Sequence, residues 1–182
     1  MKRRVPPVAI VALLMAGWGC GTTASDDPHR DVTYRDYTAR TAFEGLYRGV
    51  LLASWEALTR DLGARVDPGS FDPLRLPVPS PSDPRPEHTL RGRIGDLEQL
   101  GDVELEVRVS RPELFSADVA GDGGPATVQV RLSIRTSVAA GLADDRLEDR
   151  EFVERAFWDA LDAHLERRIG RSFTAGRPRS AP

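Results

Sequence analysis

The sequence predicts an α+β domain, a two-layer sandwich of about three antiparallel strands with a long N-terminal and a C-terminal helix packed on one face. Three observations point there. Two segments, one early and one late, repeat apolar residues at helical spacing, and between them lie stretches of strict apolar and polar alternation. A Pro-rich connection and a long Gly-containing loop separate these stretches.

The first helix is expected from about Asp36 to Leu62, ending at Gly63. Phe43, Leu46, Tyr47, Val50, Leu51, Leu58 and Leu62 form one broad apolar stripe. Beside it run Gly45, Gly49 and Ala53, a small-residue track that lets another backbone approach closely. Glu44, Arg48 and Glu56 exclude a membrane span, so the track points to tight packing within the domain or to self-association. Leu52 falls off the stripe and Trp55 lies at its margin, which makes both candidates for contact with a partner or ligand.

Residues 66–87 hold half of the chain's 14 prolines, so they exclude helix and central strand and read as an extended loop. Strands follow. Leu90, Gly92 and Ile94 alternate with Arg91 and Arg93. Val103, Leu105, Val107 and Val109 alternate with Glu104, Glu106 and Arg108. Val128, Val130, Leu132 and Ile134 alternate with Gln129, Arg131, Ser133 and Arg135. Such alternation means one buried face and one wet face. Antiparallel pairing of the last two strands would set Glu104 and Glu106 among Arg131 and Arg135, helping register more than stability. The loop between them carries Leu114 and Phe115, adjacent apolar residues that either tuck under it or reach for a partner. Its Asp118 and Asp122 lack the ligand series of a calcium loop.

The closing helix starts near Asp145, where Asp145 and Glu148 have capping-box spacing, and runs to Ile169. Val153, Phe157, Ala160, Leu161 and Leu165 make its buried stripe, with His164 on the same face as a hydrogen-bonded histidine at the core margin. Residues 171–182 read as a disordered tail.

The chain opens with Met1-Lys-Arg-Arg4, an apolar run from Val8 of roughly a dozen residues, then small residues and the lone Cys20. Spanning a bilayer takes about 20 apolar residues, so this segment is too short for a permanent span and has the layout of a signal peptide over residues 1–19. Gly17-Trp18-Gly19-Cys20 resembles the lipobox of bacterial lipoproteins, in which the cysteine is acylated and becomes the new N-terminus. That resemblance implies lipidation at Cys20, attachment to the membrane through the acyl chains, and a flexible tether over residues 20–35. With Gly21 following the cysteine, the same resemblance implies the periplasmic face of the outer membrane in a Gram-negative host. Without acylation the chain reads as secreted or periplasmic.

Removing residues 1–19, which hold Lys2, Arg3 and Arg4 and no acid, takes the formal charge from −3 to −6. An acidic chain is a poor nucleic-acid partner. One cysteine builds no internal disulfide. Lys2 is the sole lysine and asparagine is absent, a bias that reads as genomic base composition. Residues 36–170 make one domain of usual size.

The sequence holds no G-x-S-x-G elbow, phosphate loop or H-E-x-x-H, and no second histidine at metal spacing from His164. No catalytic residue, metal ligand or cofactor is assigned. The pattern from Leu90 to Glu98, the alternating strands and the closing amphipathic helix resemble envelope accessory lipoproteins such as the lipopolysaccharide-assembly type. This implies a non-catalytic accessory protein that binds an envelope protein partner or component. The alternative is a lipid or small-molecule binder with a cavity between helices and sheet, lined by Tyr47, Leu51, Trp55 and Phe157.

Overall fold

A computed structural model describes residues 30–76, 87–97, 101–112, 124–136 and 143–180. Cys20 with its leader, and Leu114 and Phe115, lie outside the described residues. The fold is α+β, with both helices packed on one antiparallel sheet. The sheet has seven strands rather than about three. In chain order they are β1 (Arg30–Ala39), β2 (Arg65–Val66), β3 (Glu87–Leu97), β4 (Gly101–Ser110), β5 (Ala126–Thr136), β6 (Phe173–Ala175) and β7 (Arg179–Ser180). Across the sheet the order is β2-β3-β4-β5-β1-β6, with β7 also on β1.

The alternation expected for β3, β4 and β5 holds, and the register aligns it. Leu90, Val107 and Leu132 form one transverse row, and Gly92, Leu105 and Ile134 the next. These residues are buried beneath the helices. Glu104 pairs with Arg135 as the charge pattern suggested, whereas Glu106 faces Ser133 and Arg131 faces Arg108.

Two expectations need correction. Residues 30–39 are not the end of a tether and the start of a helix; they form β1, paired with β5 from Arg30 to Ala39. Its inward positions include Thr33, Arg35 and Tyr37, a polar set that hides the alternation until a partner satisfies it. For Arg35 and Tyr37 that partner is Asp162, which accepts from Arg35 Nη1 at 2.7 Å and from Tyr37 Oη at 2.8 Å. Burial and the adjacent Asp162 charge push the Tyr37 hydroxyl far above its ordinary range, so it stays a donor. Likewise the C-terminal segment is no disordered tail. Its β6 pairs with Tyr37 to Ala39 and β7 with Thr33 and Tyr34, closing the far edge of the sheet.

Helix α1 (Phe43–Glu56) continues into a π-helical turn over Ala57–Asp61. Thr59 Oγ1 donates to the Trp55 carbonyl at 2.8 Å, competing with the regular ladder and opening the turn. Gly63 then ends the element with φ +62, a left-handed conformation that suits glycine. Helix α2 (Ala143–Ile169) buries Val153, Phe157, Ala160, Leu161 and Leu165 as its stripe predicts. The small-residue track serves contact between the helices. A Cβ built on Gly49 would lie 3.4 Å from Leu165 and 3.5 Å from Ile169.

Two outcomes are expected. Truncation after Gly170 removes β6 and β7, and at a few tenths to 1 kcal/mol per cross-strand pair it should cost about 2 kcal/mol in urea denaturation, with faster amide exchange in β1. A tail without structure would leave both unchanged. At Gly49 the 3.4–3.5 Å distances are ordinary contact. Gly49→Ala should therefore be neutral or stabilise by up to about 1 kcal/mol through helix propensity. Gly49→Leu should overpack the helix contact and cost roughly 1–3 kcal/mol.

Candidate functional site

Both helices pack on one face of the sheet; among the described residues no helix covers the other, and its side chains are arranged in transverse rows. The row nearest the start of β1 contains Arg65, Arg93, Glu104, Arg135 and Arg30, on β2, β3, β4, β5 and β1 in turn. Beside it lie Arg91, Glu106, Ser133 and Val32. Further along come Thr89, Arg108, Arg131 and Tyr34, with Arg179 of β7 over the Tyr34 ring at 4.6 Å. Asp102, exposed on β4, lies beyond the arginine row.

The carboxylates on this face are taken up locally. Arg93 Nη2 donates to Glu104 Oε1 at 2.6 Å, and Arg91 lies 3.6 Å from Glu106. Arg108 bridges Glu106 at 3.4 Å and Glu87 at 3.3 Å. Arg179 pairs with Asp36, which also accepts from Gln129 Nε2 at 3.0 Å. These pairs are partly exposed, so each contributes at most about 1 kcal/mol and serves register more than stability.

Where β2 hooks over β3, the face becomes concave. The hollow, about 780 Å³, is lined by Arg65, Asp67, Arg91, Arg93, Glu104, Glu106, Ser133 and Arg135, with the adjoining backbone. This is the size of a small-ligand site. The wall on the β2 side is held by the turn that follows. Asp67 Oδ1 accepts from Gly69 N at 2.9 Å, Asp67 N donates to Arg91 O at 2.8 Å, and Arg91 N donates to Ser70 Oγ at 3.1 Å. The Asp67 carboxylate is thus engaged in its own Asx turn.

Of the residues singled out from sequence for contact, Leu52 and Trp55 are both half-buried. Trp55 joins Val66, Pro68, Phe71, Asp72 and Pro73 around a smaller hollow of about 200 Å³, next to Leu74, which is 92% exposed. Tyr47, Leu51 and Phe157 are fully buried in the core cluster, against which Trp55 packs, and none of the three lines either hollow. Sequence reading missed Arg65, because a strand of two residues gives no alternation to read.

A second polar cluster lies between the helices. His164 is 4% exposed, and its Nε2 donates to Asp61 Oδ2 at 2.6 Å. Its Nδ1 sits 2.7 Å from Arg167 Nη2 and 3.1 Å from Glu56 Oε2. A neutral ring accepts there from Arg167; a doubly protonated ring donates to Glu56. Both nitrogens are therefore engaged by the fold's own side chains, as expected of a histidine at the core margin. Glu56, 8% exposed, also accepts from Arg168 at 2.7 Å and pairs with Arg60 at 2.9 Å. Burial disfavours its charge, but the Arg168 hydrogen bond and the charges of Arg168 and Arg60 outweigh that and hold its pKa below the ordinary value. The π-helical turn brings Asp61 within reach of this network.

Among the described residues no group of His, Cys, Asp and Glu could hold a metal ion, and no helix is long and apolar enough to cross a membrane. In comparison with known proteins, the chain matches no family model, no curated protein and no solved structure. What fold and site define is a two-layer α+β domain with an uncovered, arginine-rich sheet face.

The Glu56 network sets a pH dependence. With its folded pKa lowered, Glu56 contributes stability that is present above its unfolded value and lost as pH falls through the folded one. Glu56→Gln should lower stability at pH 7 by about 1–2 kcal/mol, allowing for the exposure of Arg60 and Arg168. At an acid pH below that lowered folded value, the gap from wild type should shrink toward zero. Urea denaturation at the two pH values measures both; a gap independent of pH would exclude the electrostatic account.

Proposed function

We propose that this chain is an exported, lipid-anchored, non-catalytic accessory protein of the cell envelope. Its domain binds a partner protein or envelope component through the open face of the sheet. The observation that carries the reading is that face: on four long strands, β1, β3, β4 and β5, one side is covered by no helix among the described residues and carries arginines and carboxylates in ordered rows. A two-layer sandwich needs only one side of its sheet for its core. The other side is then free to carry recognition.

The leader supports the anchored half of the reading. Its basic start, short apolar run and small residues end at Cys20, and ten residues beyond it the chain enters β1 at Arg30. Such a connection reaches at most about 33–36 Å. Acylation of Cys20 would hold the domain at the outer membrane, facing the periplasm, because each buried methylene of an acyl chain contributes about 0.8 kcal/mol.

Two measurements test the two halves separately. A photo-crosslinking residue at Arg131, exposed on the open face, should give a discrete adduct in intact envelopes, while one at Asp159, exposed on α2, should not. Equal labelling from both positions, or none, would count against the face. Cys20→Ala should move the protein from the membrane to the soluble fraction; a variant that stays in the membrane refutes the anchor.

A further inference from the structure

The hollow beneath β2 is lined by one guanidinium that the fold does not engage among the described residues, that of Arg65. Arg65 and Arg93 are directly opposite one another on β2 and β3, a like-charge cross-strand pair that costs stability. Arg93 is committed on one side to Glu104 at 2.6 Å. Glu106 is shared between Arg91 and Arg108, and Asp67 is closed into its turn. Arg65 has no hydrogen-bond or ion-pair partner among the described residues. Arg135 extends the same row, about 14 Å from Arg65 at three inter-strand spacings. Ser133, 3% exposed, contributes a hydroxyl to the floor between them.

We infer that this hollow is a binding site for a phosphate group, gripped between Arg65 and Arg93 with Arg135 on the opposite wall. The chemistry selects phosphate over carboxylate. A carboxylate brings one charge on two oxygens, whereas a phosphate monoester brings close to two charges on three oxygens and can accept from the guanidinium forks of two strands at once. A bound dianion would also relieve the repulsion between Arg65 and Arg93. The hollow has room for more than the phosphate, so the ligand carries it on a polar body. Two sources share this chemistry: a soluble phosphomonoester and the headgroup of a phosphate-bearing lipid. Arg30 pairs with Arg135 in the sheet and lies ten residues from Cys20, so a lipid headgroup is within reach of a domain tethered at that cysteine. The inference rests on the open face being the binding face and does not require the anchor.

Titration of the purified full chain with inorganic phosphate, pyrophosphate and citrate, followed by the arginine Nε–H resonances, tests it. Arg65 and Arg93 should shift with the phosphates, and citrate should bind at least tenfold more weakly than pyrophosphate. Arg65→Gln should weaken pyrophosphate binding at least tenfold; it removes a group without partners, so the fold is preserved. Arg155→Gln, exposed on α2 and away from the open face, should change it less than twofold. Flotation with phosphatidylcholine vesicles, with and without phosphatidate, separates the sources. Arg65-dependent flotation only with phosphatidate identifies a headgroup, and Arg65-dependent binding of free phosphates alone identifies a soluble ligand. Equal binding by wild type and Arg65→Gln, citrate binding as tightly as pyrophosphate, or no binding of any probe would overturn the assignment. Failure here with crosslinking from Arg131 intact would remove the phosphate site and leave the binding face.

Discussion

The Asp162 carboxylate is the point on which the two ends of this chain close. It accepts from Arg35 and Tyr37 of the first strand while standing on the last helix. Without it, β1 would present a buried guanidinium and a buried phenol to the core with nothing to receive their protons. With it, β1 can lie beside β5 and in turn receive β6 and β7. Arg35 also lies over the Trp158 ring at 5.4 Å, which carries the same link into the aromatic part of the core. A strand and a helix more than a hundred residues apart in sequence thus define one another's positions.

The two faces of the sheet serve different ends, one structural and one open to solvent. The inward rows supply the apolar area that α1 and α2 cover, and the helices meet closely because Gly49 leaves room for Leu165 and Ile169. The outward rows hold register by pairing arginine with glutamate between neighbouring strands. Where the pattern departs from pairing, at Arg65 opposite Arg93, the fold carries an unfavourable contact that packing does not explain. The polar cluster around Glu56 and His164 belongs with the structural face, since it joins the π-helical turn to α2 and sets the geometry from which β2 departs.

The parts of the fold legible in sequence are those whose burial follows a simple period. The rows of β3, β4 and β5 and the stripe of α2 are readable because nearly every buried position is itself apolar. β1 is not, since Thr33, Arg35 and Tyr37 are inward-facing polar residues, and the burial of Arg35 and Tyr37 makes sense only with Asp162 in place. The apolar stripe from Phe43 also blurs the boundary between strand and helix. The short edge strands β6 and β7 depend on β1 and carry no pattern of their own. For the site, Arg91, Arg93, Glu104 and Arg135 are visible as wet-face residues, but their assembly with Arg65 depends on the turn at Gly63 and the Asp67 hook. Thr59 is the one local signal of the π-helical turn, and a single threonine in a helix is too common to read that way.

The placement of β1 has a mechanical consequence. Arg30, the first described residue, opens a ten-residue strand laid between two neighbours. Antiparallel hydrogen bonds run across the strands, so a load applied along β1 from Arg30 stretches them together, in shear, and does not peel them one at a time. A domain held from that end resists tension with its longest continuous pairing, that of β1 with β5.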